Sequence, residues 1–191
     1  MSDAIAPKKK MGILKKILLV LLLGIIGLAI VIATRPAEFK YERSMEISAA
    51  PDVVFPLIND LRQWQYWSPW EKLDTKMQKK LEGPEVGPGS SFTWDGNSDV
   101  GAGKSTIVDS KANESVSMKL EMFKPMAGTN QVMFKLAPTA TGTKVSWIME
   151  GNNNFIGKAF SLFINCDKMC GDSFMEGLGN LNKLALAKAK K

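Results

Sequence analysis

Most of the chain after residue 38 alternates between apolar and polar positions. In FKYERSMEI, residues 39–47, Phe39, Tyr41, Met45 and Ile47 share one side, and Lys40, Glu42, Ser44 and Glu46 the other, the period-two spacing of a half-buried strand. Arg43 is the one charge on the apolar side. Ala50-Pro51-Asp52 then opens a stretch in which Val53, Val54, Leu57 and Ile58 recur at helical spacing, so two short helical pieces are expected between Pro51 and Gln65. Beyond the loop WSPWEKLD, alternating runs return between turn residues. One strand is expected near residues 76–81, one holds Phe92 and Trp94 ahead of Asp95-Gly96-Asn97, and one spans residues 105–109. SVSMKLEMF then places Val116, Met118, Leu120 and Met122 on one face, QVMFKL groups Val132, Phe134 and Leu136, and KVSWIME turns Val145, Trp147 and Met149 inward. Consecutive alternating runs joined by tight turns predict an antiparallel meander.

The period changes at both ends. Ile156, Phe160, Phe163, Asp167, Cys170, Phe174, Leu178 and Leu181 recur every three or four residues, which predicts one long amphipathic helix capped by the asparagines at 152–154. Asp167 is the one charge on that stripe. At the other end, ILLVLLLGIIGLAIVIA, residues 17–33, carries no charge and has the length of a short membrane span at about 1.5 Å per residue. Five lysines precede it, and the positive-inside rule keeps such a flank cytoplasmic. The chain therefore divides into a basic cytoplasmic flank (1–16), a transmembrane anchor (17–34), a folded domain (35–185) and a lysine-rich tail (186–191). That arrangement puts the domain outside the cytoplasm, in the periplasm if the source is a Gram-negative bacterium. A cleaved signal sequence is the alternative, but the apolar run exceeds the usual 7 to 15 residues and lacks a clear A-x-A site.

Charge and composition narrow the chemistry. The formal net charge is +6, from 25 basic and 19 acidic residues, yet five lysines precede the apolar run and four, at 183, 188, 190 and 191, close the chain. Between Arg35 and Asn182 there are 16 basic and 18 acidic residues, so no nucleic-acid partner is expected. Histidine is absent, which removes Ser-His-Asp and Cys-His nucleophile activation and His-ligated zinc; no metal site and no cofactor are expected. Cys166 and Cys170 stand four apart, a spacing that suits neither a zinc knuckle nor a disulfide, and they read as small apolar helix residues.

GAGKST, residues 101–106, imitates the end of a phosphate-binding loop. The complete motif needs glycine at position 98, where this chain has Ser98, and a helix afterwards, where STIVDSKAN reads as a strand. No nucleotide is expected. Gly101 and Gly103 read as flexible residues joining two strands, and Lys104 as a solvated edge residue.

The pieces RSMEISAAPDVVFPLINDLRQWQYWSPW, EGPEVGPGSSFTWDGN, VGAGKSTI, FKPM, TGTKVSWIMEG and GDSFMEGLGNLNKL resemble the polyketide cyclase/dehydrase type of the START-like, or SRPBCC, superfamily, over residues 40–184. The resemblance implies an α+β helix-grip fold: a curved antiparallel sheet of about seven strands around a long C-terminal helix, with a cavity between them. It further implies a hydrophobic ligand such as a lipid, sterol or polyketide, and only some members are enzymes, so function must be argued from the site.

Candidate cavity residues follow from the inward faces. Trp67 and Trp70 sit in a proline-stiffened loop, and with Trp94 and Trp147 they either line a cavity or pack a core. Met118, Met122 and Met149 add adaptable thioethers, and Leu120, Phe134, Phe163 and Phe174 complete the apolar set. Arg43 and Asp167 must reach solvent, pair with each other or meet a polar ligand group. The expected function is a membrane-anchored binding protein for a hydrophobic or amphipathic small molecule, lipids included. The alternatives are a cyclase- or dehydratase-like enzyme using Asp167 or Tyr41 as proton handler, and a structural or partner-binding envelope module. N-terminal sequencing of the membrane-extracted protein is expected to read from the start of the chain; a start after Ala33 would establish cleavage.

Overall fold

The computed structural model describes residues 12–190; the N-terminal Lys8, Lys9 and Lys10 of the expected basic flank and the terminal Lys191 lie outside them. Helix α1 spans Ile13–Thr34 and is solvent-facing along nearly its whole length, apart from Ile32. At about 1.5 Å per residue its 22 residues reach roughly 33 Å, enough for the hydrocarbon core of a bilayer. Arg35 adopts extended backbone there and Pro36 follows, which stops the helix.

Seven strands follow: β1 (Glu38–Ile47), β2 (Gln78–Glu82), β3 (Ser91–Asp95), β4 (Ala102–Lys111), β5 (Ser115–Lys124), β6 (Gly128–Pro138) and β7 (Thr143–Asn152). They form one antiparallel sheet in the order β1-β7-β6-β5-β4-β3-β2. Each of β2 to β7 pairs with its neighbour in sequence, the meander that the short turns predict, and β7 closes on β1. Between β1 and β2 lie α2 (Pro51–Asn59) and a 3-10 segment, Leu61–Tyr66, whose first turn is capped by the Asp60 carboxylate accepting from the Arg62 N–H. These are the two helical pieces expected there.

The C-terminal helix departs from the sequence reading. It is not one helix but two, α3 (Phe155–Phe163) and α4 (Cys166–Ala189), separated by Ile164 in extended conformation. The reason is a second cap. Asn154 accepts from Gly157 N–H to start α3, and Asn165 accepts from Lys168 N–H at 2.9 Å to start α4 afresh. The apolar spacing runs across the break, but only α4 turns its stripe inward. Phe174, Leu178, Leu181 and Ala185 are fully buried against the sheet and α2, whereas the apolar side chains of α3 stay outside. The tail expected at 186–191 continues α4 as helix to Ala189.

Glycine makes two close approaches feasible. At Gly177, a β-carbon would lie 2.7 Å from the Trp147 ring and 3.1 Å from Pro69, so α4 reaches the sheet only because that position is bare. Gly101 has φ of +70° at the turn into β4, as the reading of GAGKST requires. Gly103 does not share that role. It lies inside β4 opposite Trp94, where a β-carbon would stand 2.6 Å from the indole. Lys104 is likewise no edge residue, because β4 lies between β3 and β5; its ammonium sits 3.9 Å from Glu82.

Gly177→Ala is expected to lower stability by about 1–3 kcal/mol through overpacking at Trp147. Gly179→Ala, which meets open space on the same helix, should be neutral or stabilising by up to about 1 kcal/mol. Chemical denaturation followed by tryptophan fluorescence distinguishes the two.

Candidate functional site

Strand register assembles the site as cross-strand rows on the concave face. The first row runs Trp94, Gly103 and Met122. The second runs Phe92, Ser105, Leu120 and Asn130. A third joins Met118, Val132, Met149 and Tyr41, and a fourth joins Val116, Phe134, Trp147 and Arg43. Because side chains alternate along each strand, every member of a row points to the same face as its neighbours. Helix α4 and the 61–70 segment cover most of the fourth row, leaving Trp147 at the edge of the space over the first three.

That space is an apolar cavity of about 250 Å³. Trp64, Met118, Val132, Trp147 and Phe174, all buried, form its floor and closed end. Half-exposed Trp70, Glu71, Met77, Trp94, Val100, Leu120, Met122, Asn130, Met149 and Cys170 form its walls and rim. Phe174 stacks on Trp147 with ring centroids 4.5 Å apart and 5° between planes, and Trp70 meets the same indole edge-on at 5.7 Å. Such pairs add about 0.5–1.5 kcal/mol each beyond area burial, so the floor is stiff.

Polar groups are few. Glu71 is held by the Lys79 ammonium at 2.5 Å, so its charge is compensated at the rim. Cys170 is pushed up to about 11, first by burial, and stands as a neutral thiol in the wall. Trp147 is different. Its indole N–H is buried and has no acceptor among the described residues, while Trp64 and Trp67 donate theirs to the carbonyls of Ile58 and Leu57, each at 2.9 Å. An unpaired buried donor is costly, and this one lies within the packing around Trp147 with no surface of its own open to the cavity.

Of the residues expected to line a cavity, Trp70, Trp94, Met118, Leu120, Met122, Trp147, Met149 and Phe174 surround it. Trp67 and Phe134 lie behind the closed end as core, 1% and 0% exposed. Phe163 is 81% exposed at the end of α3 and does not approach it. Arg43 and Asp167 pair with each other outside it. Arg43 Nη2 reaches Asp167 Oδ2 at 2.9 Å and the Asp167 carbonyl at 3.0 Å, and Nη1 reaches Oδ1 at 3.1 Å, across Gly171, where any side chain would displace the guanidinium. The pair fastens the first turn of α4 to β1. The hydrogen bond from Arg43 holds the Asp167 carboxyl below the usual carboxylate range, and burial pushes Tyr41 up to about 12. Neither group is tuned for proton transfer near neutrality, and neither borders the cavity.

Sequence periodicity missed Phe92, Val132 and Cys170, which lie on inward faces already identified, and Trp64, Ser68, Glu71, Met77, Val100, Ser105 and Asn130. Asn130 and Ser105 had a signal: they occupy inward positions in phase with Val132 and Ile107.

A helix gripped by a curved antiparallel sheet, with an apolar cavity between them, defines the helix-grip class. The chain belongs to the polyketide cyclase/dehydrase and lipid transport family, whose model matches residues 38–185. Solved structures share the fold at low identity. A protein from Chromobacterium violaceum is 15% identical, over 76% of this chain and 96% of its own, with a TM-score of 0.57. The di-domain ARO/CYC StfQ from the steffimycin biosynthetic pathway is 13% identical over 81% of this chain and 53% of its own, with a TM-score of 0.57. Ginseng major latex-like protein 151 from Panax ginseng is 16% identical over 78% and 98%, with a TM-score of 0.55. No match to a curated protein was found.

Because the Asp167 carboxyl is depressed, its contribution to stability is present above the ordinary carboxylate pKa and is lost as pH falls through the lower folded-state value. An NMR titration should therefore show Asp167 titrating below the normal aspartate range, and Arg43→Met should return it there.

Proposed function

We propose that the protein is a membrane-anchored carrier or sensor that holds one hydrophobic or amphipathic small molecule between the sheet and α4. The observation that carries this reading is the apolar cavity between the sheet and α4, with Trp147 and Phe174 at its closed end. At about 250 Å³ it falls just below the roughly 300–1,000 Å³ of sites for drug-sized ligands. A single-chain amphiphile or a small ring system fits that volume, whereas a whole diacyl lipid does not. The matching ligand has a largely apolar body, and a carbonyl, ester or hydroxyl oxygen on it would find polar partners at Ser68, Ser105 and Asn130 in the lining.

The anchor supports the same reading. Helix α1 has the length, composition and exposure of a membrane span, and its basic flank favours a cytoplasmic N-terminus with the domain on the far side. Tethering keeps an apolar pocket beside a reservoir of apolar ligands. The enzymatic alternative loses its named groups, because Asp167 and Tyr41 both lie off the cavity and the one carboxylate on the rim, Glu71, is bound by Lys79.

Native mass spectrometry of the full-length protein, exposed to fatty acids, fatty alcohols, their esters and alkanes of equal length, is expected to give one-to-one adducts with the oxygen-bearing members. An interior that ignores the whole panel would sink the proposal. Leu120→Trp, which fills the cavity from a half-exposed wall position, should reduce binding of all of them at least tenfold, on the order of 1.4 kcal/mol or more. Asp167→Asn should leave binding unaltered.

A further inference from the structure

Helix α3 is the part of the domain that the cavity does not use. Ile156, Phe160 and Phe163 stand at i, i+4 and i+7, which aligns them on one side of the helix, with Phe155 flanking them. All are exposed, Ile156 at 62% and Phe163 at 81%, and nothing among the described residues covers them. An aqueous domain does not ordinarily leave three phenylalanines and an isoleucine on one short helix facing water.

The position of α3 says what covers it. The C-terminal end of α1 packs against α3, burying Ile32, and the Lys158 ammonium donates to the Ala33 carbonyl at 3.3 Å. That contact fixes α3 beside the point where α1 ends and the chain leaves for β1. We infer that α3 is an interfacial helix whose Phe155, Ile156, Phe160 and Phe163 insert into the acyl–headgroup boundary of the bilayer that α1 crosses. The inference rests on α1 being a membrane span and goes beyond it by assigning the docking surface of the domain. Lys158 lies toward the headgroups, where its stem stays among apolar atoms and its charge at the polar level.

Register carries the consequence to the cavity. The β1 start, the β7 end, the β6 start and the β5 end all lie at one end of the sheet, since Glu38 faces Asn152, Asn130 faces Gly151 and Met122 faces Gly128. Residue 38 lies four positions from the end of α1, so this is the membrane-proximal end. Phe123 near the end of β5 and Met126 in the β5–β6 turn are exposed there, a second apolar contact, and the rim residues Met122 and Asn130 sit beside it. Docking through α3 therefore points the rim of the cavity toward the lipid surface, so that a ligand passes between bilayer and cavity by a short route.

The test uses the full-length protein reconstituted in phosphatidylcholine–phosphatidylglycerol vesicles. A polarity-sensitive fluorophore is placed by Phe163→Cys in a Cys166→Ser, Cys170→Ser background, with Glu114→Cys at the far end of the sheet as reference. Carbonate extraction of the same vesicles reads α1 independently. The expected result is carbonate resistance, a blue-shifted Phe163-site label quenched by doxyl lipids with shallow spin labels, and an aqueous, unquenched label at position 114. A resistant protein with an aqueous label at position 163 overturns the docking helix and leaves the anchor standing. A blue-shifted label insensitive to doxyl lipids overturns it in favour of a protein covering the face. Carbonate release overturns the anchor and the inference with it. As a second measure, Ile156→Ser with Phe160→Ser should keep carbonate resistance while lowering doxyl quenching at position 163 by at least half; unchanged quenching there counts against the assignment.

Discussion

The contact between Trp147 and Phe174 is the one on which the rest of the structure depends. Trp147 projects from β7 into the centre of the concave face, and Phe174 brings α4 down onto it with the rings parallel. Gly177 lets the helix come that close, and Trp64, Trp67, Trp70 and Phe134 pack around the same indole. Fixing α4 there closes one half of the groove between helix and sheet. The other half stays open because α4 runs along β1 toward Arg43 without covering the rows that begin at Phe92 and Trp94. The cavity is thus the remainder of an incomplete core, walled by residues that would otherwise be buried by one another.

Two features keep that space from filling. Gly103 removes a side chain from the row where Trp94 crosses β4, so the indole lies flat against the strand instead of reaching across the groove. The Arg43–Asp167 pair and the Asn165 cap set where α4 starts, and half-exposed ion pairs of this kind contribute position more than stability. Helix α4 then cannot slide toward the open rows without giving up the Arg43–Asp167 pair. Leaving the Trp147 N–H unpaired within this packing costs stability.

The break at Ile164-Asn165 separates the two halves of a pattern that is continuous in sequence. Ile156, Phe160 and Phe163 have the same spacing as Phe174, Leu178 and Leu181, and hydropathy alone cannot tell a helix face that meets a sheet from one left exposed. The asparagine caps at 154 and 165 carried the local signal for two helices, yet capping residues at a helix interior also occur without a break.

The sequence by itself determined the fold and most of the cavity wall. Alternation at period two placed the strands, tight turns made them a meander, and the inward set Met118, Leu120, Met122, Trp147 and Met149 followed because a strand leaves its side chains only two faces. The apolar span at residues 17–33 was equally plain, since length and lack of charge are one-dimensional properties. Tertiary structure alone decided which inward residues meet a cavity and which meet core. Phe134 is in phase with Val132, but α4 and the two tryptophans cover its row and leave the next one open. It also decided that Arg43 and Asp167, 124 residues apart, satisfy each other, and that Phe163 faces outward beside the end of α1. Periodicity states which way a side chain points from its own backbone; only the packing of distant elements states what it finds there.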